Sequence, residues 1–279
     1  TCTELHPVTV ESIRRNDSTK ITYYVCGFLN FKLAHSQVHQ FMDWFETSTY
    51  FYRAWLPELL HRLHPHDTKE QCFDILLGRR KQHRDFIFNC ATNRPGDHIL
   101  TYFGQDNLDL GLWQWEQHGV RIDQPIEWTV QNVQYYGHPI SVSQIIPITI
   151  YNQTAYSIVA ETCWQNNFAF FTEKTAKPII ARRLFVMFAG QGYLANLQQL
   201  GFQTFGDVID ESYDSEPDDL VRWRQAWAQV EWLKSQPQSQ ILEQIRPIVE
   251  HNFAVMMTTN WYDQFRQQLE QDFVRIAHG

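Results

Sequence analysis

Several things are scarce in this 279-residue chain, and each scarcity removes a class of protein. There are five cysteines, Cys2, Cys26, Cys72, Cys90 and Cys163, an odd number with no CxxC pair. Neither a zinc knuckle nor a disulfide framework is therefore encoded, and a reducing cytoplasmic setting is expected. Basic residues are in deficit, 23 Lys and Arg against 31 Asp and Glu, for a net charge of −8 and a pI near 5.8. That balance argues against a phosphate-backbone clamp, and so against duplex nucleic acid as a partner, while leaving room for a local basic pocket. No apolar run approaches the roughly 18 residues of a membrane span. No signal peptide is expected either, although the first residue is Thr1 rather than a methionine. Internal repeats and low-complexity linkers are also missing.

Aromatic side chains are abundant: 10 Trp, 12 Tyr and 19 Phe. With a hydrophobic share of 43%, this is the composition of a globular protein with a sizeable core. Aromatic residues mostly serve cores and interfaces, and less often stack on sugars or bases.

Hydrophobic patterning divides the chain into an N-terminal α+β region (1–70), a Rossmann-like domain (71–215) and C-terminal helices that pack on it (216–279). "ITYYVCGFLNF" (21–31) reads as one or two strands. Residues 36–65 read as helix broken near Pro57, because Val38, Phe41, Met42 and Phe45 fall at helical spacing. "FDILLG" is a buried strand, "RRKQHRDFIFNCATN" a helix, and "HILTYFG" the next strand. Strand, helix and strand in about 30 residues are the βαβ signal of a parallel sheet. Residues 105–150 are mixed. The pattern resumes with "YSIVAE" (156–161), a helix over about 172–183, and "LFVMFAG" (184–190), an apolar run suited to a strand covered on both faces. A short helix then stops at Gly201. Near the C-terminus Leu220, Trp223, Trp227, Val230 and Leu233 form one stripe, with Asp218 or Asp219 at its favourable negative start. The expected fold is α/β, a Rossmann-like parallel sheet flanked by helices.

In such sheets ligands bind beyond the carboxyl ends of the strands. Glu161 lies at that end of "YSIVAE", and the next helix opens near Thr172. Its first N–H groups lack helical partners and its dipole favours an anion. Lys174 and Lys177 share a face, so they and the helix N-terminus suit a diphosphate, while Glu173 suits ribose hydroxyls. The same residues fit a second reading. Glu173 and Lys177 are an i,i+4 ion pair worth about 0.3–0.5 kcal/mol, and Thr172 is an ordinary N-cap.

"YSIVAETCWQNNFAFFTEKTAKPIIARRLFVMFAG" resembles the nucleotide-sugar half of α1,3-fucosyltransferase-like GT-B glycosyltransferases. Glu161 matches a strand-end acid, Thr172-Glu173-Lys174 a second motif that opens a helix, and "RLFVMFAG" the following strand. In that family the Glu and Lys of the second motif contact the nucleotide ribose and diphosphate. "KQHRDFIFNCATNRPGDHILTYFG" is similar to the family's Arg-bearing helix and strand, which implies Arg84 as a phosphate ligand. The stretch from "FFTEKTAKPI" to "LGFQTFGDVIDESYD" also resembles proteins common in bacteriophage genomes; for a viral chain the setting would be the host cytoplasm. The resemblance spans residues 75–210. It implies a GT-B-type half that takes a nucleotide diphosphate sugar as donor substrate, with no separate cofactor and no metal, and passes the sugar to an unknown acceptor. The implied contacts are Arg84, Glu161, Thr172, Glu173, Lys174 and Lys177.

Three positions depart from the pattern. Thr162 stands where the family has Asn. Pro178 belongs in a first turn, so the helix either starts near Thr175 or bends. The first 70 residues are too few for a full acceptor domain, which is where the family's general base lies, and no catalytic residue is assigned. The alternative is therefore an inactive glycosyltransferase-fold protein that binds or assembles, its aromatic residues lining a homo-oligomer interface.

Remaining candidates read as structural. The acidic run "IDESYDSEPDD" (209–219) reads as loop and helix cap rather than a cation site. His61, His64 and His66 read as a surface cluster, with a base role for His66 or Asp67 left open. His83 reads as an exposed neighbour of Arg84, and Cys163 as a structural thiol.

Overall fold

The computed structural model of the chain describes residues 7–18, 21–25, 27–54, 57–93, 96–102, 132–135, 138–141 and 144–278. Cys2, Cys26 and most of the mixed 105–150 segment lie outside the described residues. In chain order the elements are α1 (Pro7–Arg15), β1 (Thr22–Val25), β2 (Phe28–Leu29), β3 (Gln37–Gln40), α2 (Asp43–Ala54), a 3-10 turn (Pro57–Arg62), β4 (Gln71–Leu77), α3 (Gln82–Thr92) and β5 (His98–Tyr102). Next come β6 (Asn132–Tyr135), β7 (His138–Ser141), α4 (Ile148–Gln153), β8 (Thr154–Ala160), β9 (Phe168–Ala169), α5 (Glu173–Ile180) and β10 (Phe185–Phe188). The chain ends with α6 (Tyr193–Gln199), a 3-10 turn (Glu211–Ser215), α7 (Asp219–Lys234), α8 (Gln238–Thr258) and α9 (Trp261–His278).

The fold is α/β. A four-stranded sheet in the order β10-β8-β4-β5, with every neighbouring pair parallel, is flanked by helices, and the C-terminus is helical. Every residue of β8 and of β10 is buried, which explains why both read as continuous apolar runs rather than alternating ones. Alternation along the strand still sorts side chains to the two faces. Phe188 of β10 meets Phe86 of α3 and Trp227 of α7. Phe185, an odd number of residues back and so on the opposite face, meets Phe205. α5 packs against α2 and α8, and one buried cluster runs from Met42 through the sheet to Trp261.

Strand order fixes where a ligand can enter. The chain steps from β4 outward to β5, then returns to the other side of β4 to make β8. β4 and β8 are therefore neighbours whose connections leave in opposite directions, and such a switch point is where open α/β sheets take their ligands. Ile75 sits opposite Ile158, and extending that register sets Gly78 level with Glu161.

Three local expectations are corrected. Residues 37–40 form β3, parallel to β1 with Val38 opposite Tyr23, and the helix begins only at Asp43. Both side chains pack on a small cluster of Val25, Cys163, Phe168 and Phe170, and this burial overrides the helical spacing. Leu220 is 42% exposed rather than part of the α7 stripe. In that first turn Arg222 is buried instead, donating to the carbonyls of Ala189 and Trp164. Pro178 does not delay α5, which starts at Glu173 and carries the proline inside it.

Candidate functional site

The switch point between β4 and β8 is built around one carboxylate. Glu161, the residue after β8, is fully buried, and its two oxygens accept five hydrogen bonds. Oε1 takes the Thr172 amide at 3.1 Å, the Thr175 hydroxyl at 2.6 Å and the Tyr193 hydroxyl at 3.0 Å. Oε2 takes the Thr162 amide at 2.9 Å and the Thr172 hydroxyl at 2.8 Å. A buried carboxylate is tolerable only with such partners. These bonds tie the end of β8 to the start of α5 and to α6. Burial, and then the Glu161 charge, push the Tyr193 phenol well above its ordinary pKa.

Thr172 is the N-cap of α5, extended at φ −120°, and its hydroxyl accepts from the Lys174 amide. Glu173 and Lys177 are both buried, so the charged pair read from the sequence is not a solvated one. Lys174 bonds Glu173 at 2.5 Å, and its ammonium also lies 3.2 Å from the Thr162 hydroxyl and 3.4 Å from that of Thr172. Burial alone would raise the Glu173 pKa, but the ammonium groups of Lys174 and Lys177 hold it below its usual value. Burial brings Lys177 down to about 8, against the pull of Glu173 and helped by repulsion from Lys174.

The other wall is the β4–α3 turn, Gly78 to Lys81. Arg84, on the first turn of α3, is 3% exposed and donates to the carbonyls of Arg79 at 2.8 Å, Ala160 at 3.3 Å and Glu161 at 3.4 Å. Its guanidinium lies under the turn, and a Cβ on Gly78 would stand 3.3 Å from Nη1. Lys81, the N-cap position of α3, makes no side-chain cap. Its ammonium donates to the Thr162 carbonyl at 2.7 Å and sits 5.5 Å from the centre of the Trp164 ring.

His83 is fully buried, not exposed as its neighbours in sequence suggested. It stacks on Trp164 at 5.1 Å, with Trp223 at 6.1 Å, and its Nε2 lies 2.8 Å from the Glu161 carbonyl. A carbonyl only accepts, so Nε2 carries the proton. Burial, and then the Arg84 charge, drive the imidazole well below its ordinary pKa, so it is neutral.

The structure thus gathers Arg84, Glu161, Thr172, Glu173, Lys174 and Lys177 at one end of the sheet. Of these six, only the Lys174 side chain is appreciably open, at 22%. Sequence reasoning gave no role to Lys81, Trp164 and Tyr193, noted Thr162 only as a departure from the family pattern, and read His83 as exposed. Their signal was faint, since each matters through a partner on another element.

The remaining candidates fall elsewhere. His66 precedes β4 and so lies at the opposite, amino-terminal side of the sheet, 2.8 Å from Glu250. His64 is 3.9 Å from Asp67. In the acidic run, Asp214 accepts the Leu194 and Ala195 amides, Asp210 caps its 3-10 turn and Asp218 caps α7. Among the described residues no group of three or more His, Cys, Asp or Glu side chains could hold a metal ion. Cys163 is a buried thiol in the small aromatic cluster. Among the described residues no helix is long and apolar enough to cross a membrane.

Compared with family models, with curated proteins and with solved structures, the chain finds no match.

Proposed function

We propose that this chain is a glycosyltransferase-like protein of the GT-B kind, which binds a nucleotide diphosphate sugar in the β4–β8 crevice and passes the sugar to an acceptor hydroxyl. The observation that carries this reading is the position of Lys174: a partly open ammonium beside the N-terminus of α5, at the switch point of a doubly wound parallel sheet. The ammonium and the positive end of the α5 dipole favour an anion there, although the Lys174 and Thr175 amides of the first turn are already bonded to Thr172.

When the glycosidic bond to the diphosphate breaks, negative charge grows on the leaving phosphate. Donors fixed in advance at that place lower the barrier without reorganising. Lys174 is such a donor, with the α5 dipole behind it. Glu173 and Lys177 hold Lys174 in a charged frame, while Thr172, Glu161 and Arg84 fix the frame to the strand ends. No residue is assigned as the base that activates the acceptor.

Calorimetry with a panel of nucleotide sugars and the matching nucleoside diphosphates tests the reading. The expected result is binding that requires the diphosphate. Absence of heat with every member at millimolar concentration would sink it.

One observation favours a second reading, a binding or assembly module without turnover. The Glu161 carboxylate is saturated by donors of its own chain. A donor-hydrolysis assay beside light scattering separates the two, because an inactive module binds or oligomerises but releases no sugar.

A further inference from the structure

We propose that a small cavity at the amino-terminal edge of the sheet binds a zwitterion of the free α-amino acid class. Its carboxylate would meet Lys234 and Tyr156, and its ammonium Asp97 and Glu70. The cavity lies at the other end of the strands from the β4–β8 switch point.

The cavity holds about 270 Å³. Cys72 and Asp97, at the starts of β4 and β5, line one part of it. Leu233 and Lys234 at the end of α7, with the turn into α8, line another. The Asp97 carbonyl accepts the Cys72 and Phe73 amides, which ties the two strand starts together. Gln238, the first residue of α8, accepts the Lys69 amide and fastens the turn to the same edge. The cavity is thus framed without the use of its charged side chains.

Tyr156 points to a ligand. It lines the cavity, is 0% exposed, and its hydroxyl has no hydrogen-bond partner. A buried phenol ordinarily finds one. The nearby Cys72 thiol adds to burial in raising the phenol's pKa, which sets the hydroxyl end of the ring on the cavity side. Phe73 stands level with Tyr156 on one neighbouring strand and with His98 on the other. The Nδ1 atom of His98 is a second buried atom without a partner.

Charge selects the ligand. Lys234, Asp97 and Glu70 all line the cavity, yet among the described residues none of them makes a side-chain hydrogen bond or an ion pair. Opposite charges that share a cavity without pairing leave room for a molecule that carries both signs. A simple anion would face two carboxylates, and a simple cation would face Lys234. A zwitterion gives each group its opposite through charge-assisted bonds. The Tyr156 hydroxyl then donates to the same carboxylate as Lys234. Burial pushes the Cys72 thiol up to about 12, so it is protonated and, with Leu233, lines the space left for a small aliphatic side chain. The volume falls below the range of roughly 300–1,000 Å³ typical of drug-sized ligands, which favours a small amino acid.

Glycine, alanine and serine are the probes, with acetate and methylamine as the two halves of the zwitterion. In calorimetry the parent should bind at least one of the amino acids roughly tenfold more tightly than either half. Tyr156→Phe removes a hydroxyl that the chain itself leaves unpaired, so its melting temperature should equal or exceed the parent's. Its affinity for that amino acid should nevertheless fall by roughly tenfold, and Lys234→Met, checked for an intact fold by circular dichroism, should lose as much. Unchanged affinity in either variant overturns the proposal. If Tyr156→Phe also melts lower, its hydroxyl serves a structural water instead. Acetate or methylamine binding as tightly as the amino acids reduces the site to a single charge and overturns it too. So does the absence of binding by all three amino acids at millimolar concentration.

Discussion

Two buried polar clusters brace the central sheet, one at each end, and their charge is arranged differently. At the amino-terminal end Arg183 makes six hydrogen bonds, to Asp74, to the Ser157 and Thr154 hydroxyls, and to the carbonyls of Tyr151, Thr154 and Tyr156. Asp74 accepts from Ser157 as well, and the ion pair is 3% exposed on both sides. One cation meets one anion, and the network closes on itself. At the carboxyl end Lys81, Arg84, Lys174 and Lys177 surround two carboxylates, Glu161 and Glu173. Glu161 is occupied by neutral donors, while Lys174 and Lys177 hold the Glu173 pKa down. The first cluster is what a buried ion pair must be in order to be tolerated. The second interleaves several cations with two carboxylates and lies where a parallel sheet binds its ligands.

Breaking the closed cluster should have the largest effect. Arg183→Met leaves Asp74 buried without its cation and frees several carbonyls, so unfolding free energy should fall by about 3–5 kcal/mol in a urea titration, the cost of removing one partner of a buried pair. A fall below about 1 kcal/mol would make this end as loosely built as a surface pair.

Next is the neutral-donor side of the open cluster. Glu161→Gln keeps the shape but replaces an acceptor with an amide group that faces donors. The expected loss is roughly 1.5–3 kcal/mol, as for hydrogen bonds to a charged group. It should appear in chemical denaturation with or without ligand, because Glu161 acts by tying β8 to α5. A variant as stable as the parent that fails only to bind would move Glu161 from scaffold to ligand contact.

The burial of Lys177 should show in the pH dependence. With its folded pKa brought down to about 8, Lys177 carries fewer protons in the folded than in the unfolded chain between that pH and 10.5. Where the unfolded state binds more protons, stability rises with pH. The parent should therefore gain stability relative to Lys177→Met on going from pH 7 to pH 10, with a slope of at most about 1.4 kcal/mol per pH unit. Burial pushes the Cys72 thiol up to about 12, which works in the opposite direction, but both proteins carry it and the difference cancels. A flat or falling difference would mean that Lys177 keeps its proton as an ordinary lysine does.

The sheet was readable from the sequence where burial is two-sided. The runs in β4, β8 and β10 are mainly apolar because both faces are covered, with Asp74, Thr154 and Ser157 as buried polar exceptions. Of the short strands, β1 and β2 were readable in residues 21–31, but β3 was not. Gln37–Gln40 carries one apolar residue, and only its pairing with β1 and the cluster around Val25 makes it a strand. The site divides in the same way. Thr172, Glu173 and Lys174 are adjacent in sequence, so a cap and its charges can be read directly. Lys81 meets Thr162 only because the strand order makes β4 and β8 neighbours, and no local spacing encodes that order. His83 was misread for a related reason: the two indoles that bury it lie in a loop after β8 and in α7.

The smallest effect on stability belongs to Lys174, and it bears most directly on the central claim. Lys174→Met removes one ion pair from Glu173 but leaves Lys177 beside it and relieves the repulsion between the two lysines. Stability should change by no more than about 1 kcal/mol, because Lys177 stays beside the buried Glu173 and Lys174 is the partly open partner. The deciding measurement is thermal shift of parent and variant with and without guanosine or uridine diphosphate. The account predicts that ligand stabilises the parent and that the variant loses most of this gain, in line with binding weaker by about 1.5–3 kcal/mol. Equal stabilisation of parent and variant by the nucleotide would contradict it.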